Sequence, residues 1–298
     1  MSDHSGPVLS MDDLAADMAA DMAHVRGVVM RAQSSFAAGM KVLPADRRDA
    51  MFAIYAFCRE VDDIADGSGS PAEKKNALHD WRTDVDAIYA GRPPNAICRV
   101  LSRAIADFEL RREDFLAVID GMEMDAAPQV RLADMDELHL YCDRVACAVG
   151  RLSVRVFGME SGRGDALAKA LGEALQLTNI LRDLHEDATV DRLYLPAACL
   201  RAHGIVDAKD ALSVLNRPEL GSVCDELAEL AQSRYGEAER LVRGAPRRQV
   251  LPAVLMMRVY ERVLGKLRRR GWQNITQRLS LSRLEKLWVA LRYGPLGW

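Results

Sequence analysis

Apolar residues recur every three to four positions along most of this chain, and no stretch sustains the period-two alternation that a half-buried strand needs. A chain patterned in this way can bury its apolar stripes only by packing helix on helix. Composition agrees, with few aromatics and abundant Ala, Leu, Val, Met and Arg. The expected fold class is all-α. The periodicity predicts helices over about 45–65, 72–90, 96–108, 112–123, 134–157, 163–187, 217–243, 247–270 and 281–292. The breaks between them have a chemistry of their own. Asp66-Gly67-Ser68-Gly69-Ser70-Pro71 forms one, Arg92-Pro93-Pro94 another, and Ala127-Pro128 and Gly244-Ala245-Pro246 two more. Arg192-Leu193-Tyr194-Leu195-Pro196 reads as a loop leaving the long helix. Residues 1–24 read as a loose arm, and 25–298 as one domain without repeats or a low-complexity linker.

The net charge of −3 and a pI near 6.1 give no basic footprint for nucleic acid. Six scattered cysteines include no CxxC pair, so buried reduced thiols are expected rather than a zinc site or a disulfide framework. The acidic N-terminus has no signal-peptide character, and no run is apolar for long enough to span a bilayer. The expected location is cytoplasmic, with peripheral contact to a membrane left open. The aromatic, basic-flanked stretch from Leu287 to Trp298 would make such a contact or pack on the domain.

Two acidic clusters carry the chemistry. In Arg59-Glu60-Val61-Asp62-Asp63-Ile64-Ala65-Asp66, Asp62 and Asp66 share a helix face with Met51, Tyr55 and Cys58. These carboxylates continue an apolar stripe, where a solvated acidic face would lie opposite it. In the second cluster Gln176, Asn179, Asp183 and Asp187 fall on one stripe at spacings of three and four. Amide and carboxylate oxygens are hard ligands suited to Mg²⁺, which completes its shell with water and substrate phosphate. Two such faces opposite each other can bind a diphosphate through metal ions, with Arg59 and Arg182 adding charge-assisted hydrogen bonds.

Asp62-x-x-x-Asp66 and Asn179-x-x-Arg182-Asp183-x-x-Glu186-Asp187 resemble the paired motifs of the squalene/phytoene synthase family. Ser34-Ser35-Phe36, the run from Ala53 to Arg59, Tyr141-Cys142-Asp143-Arg144-Val145-Ala146, Arg192 to Pro196 and Arg258-Val259-Tyr260 extend the likeness over about 25–290. The resemblance implies an isoprenoid-synthase-type helical bundle around a central cavity. It also implies a prenyltransferase that joins two farnesyl diphosphates head to head, giving presqualene diphosphate for squalene and hopanoid synthesis. On this resemblance Asp62, Asp66, Asn179, Asp183 and Asp187 would hold Mg²⁺, or Mn²⁺ in its place. Ser34, Ser35, Phe36, Tyr55, Arg59, Gln176, Arg182 and Tyr260 would contact substrate, and Tyr141, Tyr55, Arg59 and Arg182 would form the catalytic set. Tyr141 matches a tyrosine discussed as proton acceptor or cation stabiliser. NADPH is not expected, nor is any nucleic-acid partner; downstream isoprenoid enzymes are conceivable partners. Cys147 stands where many relatives have Gly or Ser, and little beyond local packing should follow.

Other readings stay open at this point. Phytoene, dehydrosqualene or squalene synthases of the same family share the motifs. A chain-elongating prenyltransferase would need a second aspartate-rich motif in place of the one opened by Asn179. A non-catalytic prenyl-diphosphate-binding or assembly protein should have lost metal ligands, and none is lost in this sequence.

Overall fold

The computed structural model describes residues 11–32, 40 and 42–294, leaving aside the side chains of 11–15 and 283. Its helices are α1 (Met11–Arg31), α2 (Ala45–Asp66), α3 (Pro71–Tyr89), α4 (Ala96–Phe108), α5 (Arg112–Asp125) and α6 (Met135–Cys142). A π-helical turn (Asp143–Cys147) leads into α7 (Ala148–Val156) and the long α8 (Ser161–Thr189). The short α9 (Ala197–Ala202) and α10 (Ala211–Leu215) precede α11 (Leu220–Val242), α12 (Arg247–Arg270) and α13 (Arg283–Tyr293). The architecture is all-α. Helix α8 is the central element, packed on α7, α11, α12 and the π turn. The buried apolar side chains form one contiguous cluster that includes Met51, Phe57, Phe115, Leu152, Leu177 and Tyr235.

Helix starts follow the local chemistry. Ser70 and Glu73 form a reciprocal capping box with Pro71 in the first turn, so α3 begins directly after the Gly-Ser turn that stops α2. Asn95 caps α4 and Asp134 caps α6 by the same side-chain-to-backbone logic.

Four features differ from the sequence expectation. The arm expected over 1–24 is helical from Met11, because Val25, Val28 and Val29 are buried and Arg99 grips Asp21 at 2.6 Å. Two short helices occupy the stretch around 197–215. The loop at Arg192 makes a two-residue parallel pairing: β2 (Arg192–Leu193) lies against β1 (Val130–Arg131), with Val130 opposite Arg192. Two residues are too few to carry a period-two signal. Finally, the helix expected over 134–157 is interrupted by the π turn, which glycines accommodate on both sides. A Cβ on Gly121 would lie 2.6 Å from Val145 Cγ1, and one on Gly172 would lie 2.8 Å from the Cys147 Cα. The Gly172 neighbour is backbone and cannot rotate away. Gly172→Ala is therefore expected to cost about 1–3 kcal/mol and to lower Tm by several degrees, as thermal denaturation would show. An unchanged Tm would mean that the π turn shifts freely.

Candidate active site

Three helices end in carboxylates near one another. Asp62 and Asp66 lie in the last turns of α2, Asp183 and Asp187 in the last turns of α8, and Asp125 is the last residue of α5. Helix C-termini already carry partial negative charge, so acids there are unfavourable unless cations answer them. Burial, with Asp66 next, pushes Asp62 up to about 6. Burial, with Asp183 next, pushes Asp187 up to about 7. Asp125 feels both motifs: burial raises it to about 6 against the opposing pull of Tyr194, Arg192 and Tyr141, and its charge acts on Asp62 and Asp187 in turn. The two acidic motifs thus share one electrostatic field, with Asp125 between them.

Arg192 is the built-in counter-charge. Its Nη1 sits 2.7 Å from Asp66, and its Nη2 donates to the carbonyls of Ala65 (3.3 Å) and Asp125 (3.0 Å). One guanidinium therefore caps the exposed carbonyl ends of both α2 and α5. The turn that aims it is set by Asp191, which adopts a left-handed conformation (φ 59°) and is held by Arg131 and Gln129. The β1–β2 pairing then fixes the register of Arg192 and brings Tyr194 inward.

Asp125 accepts from the hydroxyls of Tyr194 (2.6 Å) and Tyr141 (3.1 Å), whose rings stack at 4.7 Å. Burial, reinforced by Asp125, holds the Tyr141 phenol far above its ordinary range. Tyr141 is therefore a neutral hydrogen-bond donor, not a standing phenolate.

On α2, Arg59 is anchored by Asp62 (3.1 Å) and Asp63. On α8, Arg182 donates to Asp183 (Nε at 2.8 Å) and also bonds Tyr260. Arg278, from the segment after α12, reaches Asp183 (3.1 Å) and Glu186 (3.3 Å). Asn179 Nδ2 donates weakly to Gln176 Oε1 (3.4 Å), while the buried Asn179 Oδ1 has no hydrogen-bond partner. Gln176 and Asn179 also line a largely apolar cavity of about 210 Å³ between α7, α8 and α12, whose other walls include Val149, Phe157, Leu171 and Met256. Gln176 and Asn179 are thus the members of the polar stripe that reach the apolar chamber.

The donor set fits a hard divalent cation: carboxylate oxygens raised in affinity for protons, and an orphaned amide oxygen beside them. Among the described residues no three His, Cys, Asp or Glu side chains converge as a preformed single-ion cage. Asp62, with a side chain 43% exposed, is only partly buried, where its apolar stripe suggested the core.

The structure brings Arg59, Asp62, Asp66, Tyr141, Gln176, Asn179, Arg182, Asp183, Asp187 and Tyr260 to this region; Tyr55 packs at the core edge of α2 and interacts electrostatically with Arg59. Ser34, Ser35 and Phe36 lie outside the described residues. Sequence reasoning missed Asp125 and assigned no role to Arg192 or Tyr194. The one signal for Asp125 was an acid at a helix C-terminus, just before Ala126-Ala127-Pro128.

Residues 29–285 match the sequence profile of the squalene/phytoene synthase family. The chain is 47% identical over 261 residues to a presqualene diphosphate synthase of Zymomonas mobilis, covering 87% of this chain and 88% of that one. A squalene synthase structure from Alicyclobacillus acidocaldarius superposes with TM-score 0.78 at 26% identity, over 86% of this chain and 96% of that chain. A ligand-bound dehydrosqualene synthase superposes with TM-score 0.80 at 23% identity, over 92% and 95%, and shares the fold.

Proposed function

Because the chain belongs to the squalene/phytoene synthase family, we propose that it condenses two farnesyl diphosphates head to head into presqualene diphosphate, releasing one diphosphate. The observation that carries this reading is the convergence of three carboxylate-bearing helix ends beside an apolar cavity. Identity of 47% to a relative named presqualene diphosphate synthase, over most of both chains, favours that product.

Asp62, Asp66, Asn179, Asp183 and Asp187 would hold Mg²⁺ or Mn²⁺. Such ions, when bound, neutralise a departing diphosphate and so lower the barrier to breaking its C–O bond. Arg59 and Arg182 orient the diphosphates through charge-assisted hydrogen bonds, and Tyr260 steadies Arg182. Gln176 marks the boundary between the polar rim and the cavity that takes a prenyl chain. The apolar walls keep water from the allylic cation left when the first C–O bond breaks. The 2,3 double bond of the second substrate attacks that cation, and loss of a proton closes the cyclopropane. Tyr141 can accept that proton on its oxygen while passing its own to Asp125, whose position near 6 suits a relay at neutral pH. The released diphosphate is the other available acceptor. Ser34, Ser35, Phe36 and Tyr55 would contact substrate on the family resemblance alone.

No helix among the described residues is long and apolar enough to cross a membrane. The test of function is incubation with farnesyl diphosphate and Mg²⁺, with and without NADPH, followed by mass spectrometry. Presqualene diphosphate in both reactions is the expected result. Squalene formed only with NADPH would assign the reductive reaction, and turnover of geranylgeranyl diphosphate alone would assign phytoene synthesis. A folded protein inert toward both substrates would overturn the catalytic reading.

A further inference from the structure

Helix α13 turns an apolar stripe to solvent. Leu284, Leu287, Trp288 and Leu291 follow the i, i+3, i+4, i+7 spacing of one helix face, yet they are 78, 54, 46 and 65% exposed. The opposite side ties the helix down. Val289 is buried, Lys266 on α12 pairs with Glu285 at 2.6 Å, and the Ser282–Glu285 capping box fixes the first turn. The stripe is therefore presented by a helix docked through its other face.

The segment that ends in this helix is strongly basic in sequence, although Glu239 lies beside Arg292 and Tyr293, and Arg278 is paired with Asp183 and Glu186. Residues 262–292 hold nine Lys and Arg against a single acid, Glu285, a net +8. The whole chain is −3, so everything else sums to −11. Glu285 is already neutralised by Lys266. Arg262 lies over the Trp288 ring at 4.0 Å, setting a cation directly beside the apolar stripe, and Arg268 and Arg269 are exposed at the end of α12.

We propose that α13 and the adjoining basic end of α12 form a docking surface for an anionic lipid bilayer, with Leu284, Leu287, Trp288 and Leu291 entering the interface and the arginines contacting lipid phosphates. A leucine stripe with a tryptophan and flanking cations is the chemistry of a helix lying in the membrane plane. At about 1.5 Å per residue an eleven-residue helix is too short to span, but long enough to lie flat. A symmetric dimer through this face would bring the exposed Arg268 and Arg269 and the other cations of two copies together, which charge repulsion opposes. Arg278, in the same basic segment, touches Asp183 and Glu186, so the surface adjoins the rim of the carboxylate site. The proposal rests on exposure and charge and stands apart from the assigned reaction.

The test is co-sedimentation of the full chain with phosphatidylglycerol-containing vesicles and with pure phosphatidylcholine vesicles, at low and high salt. Binding to the anionic vesicles is expected, at least ~10-fold stronger than to the neutral ones and weakened by salt. The variants L284E/L291E and R268E/R269E should each reduce anionic binding by ~10-fold or more while Tm and turnover in detergent-free buffer stay near wild type. Equal sedimentation of wild type and both variants would overturn the proposal. So would a wild-type dimer made monomeric by L284E/L291E without vesicle binding, since that would assign the stripe to a second copy. Retention by an acidic protein partner but by neither vesicle would likewise overturn it.

Discussion

Replacing Asp187 by asparagine is expected to lower kcat/KM by about 10²–10³-fold while making the metal-free protein more stable. Both effects come from one cause. Asp187 is raised to about 7 because burial and Asp183 oppose its charge. The folded state therefore holds this proton more tightly than the unfolded chain, whose aspartate ionises near 3.8. The stabilisation from the protonated group is complete below about 3.8 and is lost as pH rises through about 7. Above that pH the ionised carboxylate is a standing cost to the metal-free fold. Asparagine removes the cost and keeps the shape. Roughly 1 kcal/mol survives solvent screening, equivalent to about 2–4 °C in Tm for a chain of this size. Differential scanning fluorimetry of metal-free protein should show the gain near pH 8 and little gain near pH 4, and the Tm rise expected of wild type with Mg²⁺ and pyrophosphate should be lost in the variant. A variant less stable than wild type at pH 8 would show that Asp187 is a structural partner rather than a carboxylate kept for a cation.

The second large effect should come from Arg192. This residue caps the ends of α2 and α5 and lowers both Asp125 and Asp187. Arg192→Met removes the opposing charge, so both carboxylates climb further and protonate at higher pH. If Asp125 and Asp187 must be ionised for turnover, the acidic limb of the kcat/KM profile should move upward by roughly half to one unit in Arg192→Met. Activity at pH 7 should fall by about 3- to 10-fold and recover for the most part near pH 8.5. Arg192→Lys keeps the charge but not the two-pronged geometry, so its limb should stay near wild type while its Tm falls. A loss that is uniform across pH in Arg192→Met would confine the residue to a structural role.

How much of this was legible in the sequence depended on range. The faces that carry Asp62 with Asp66, and Asn179 with Asp183 and Asp187, were readable because an α-helix maps sequence spacing directly onto direction. The loops were less legible. Arg192 and Tyr194 act through contacts with Ala65, Asp66 and Asp125, more than sixty residues away, and no periodicity encodes such a contact. The π turn was invisible for a related reason. It depends on the absence of side chains at Gly121 and Gly172, on helices distant in sequence. Asp125 showed only as an acid at an unfavourable helix end, a signal too common to single out.

The sequence by itself determined the helical class, the main helix boundaries and the residues of each acidic face, because these follow from local spacing, capping and turn chemistry. Only the tertiary structure decided that three helix C-termini meet, that Asp125 with two stacked tyrosines sits between the motifs, and that Arg192 spans α2 and α5. It also decided that the apolar face of α13 is left uncovered. These are properties of the field and the free surface summed over distant segments. They come into being only when packing brings the segments together.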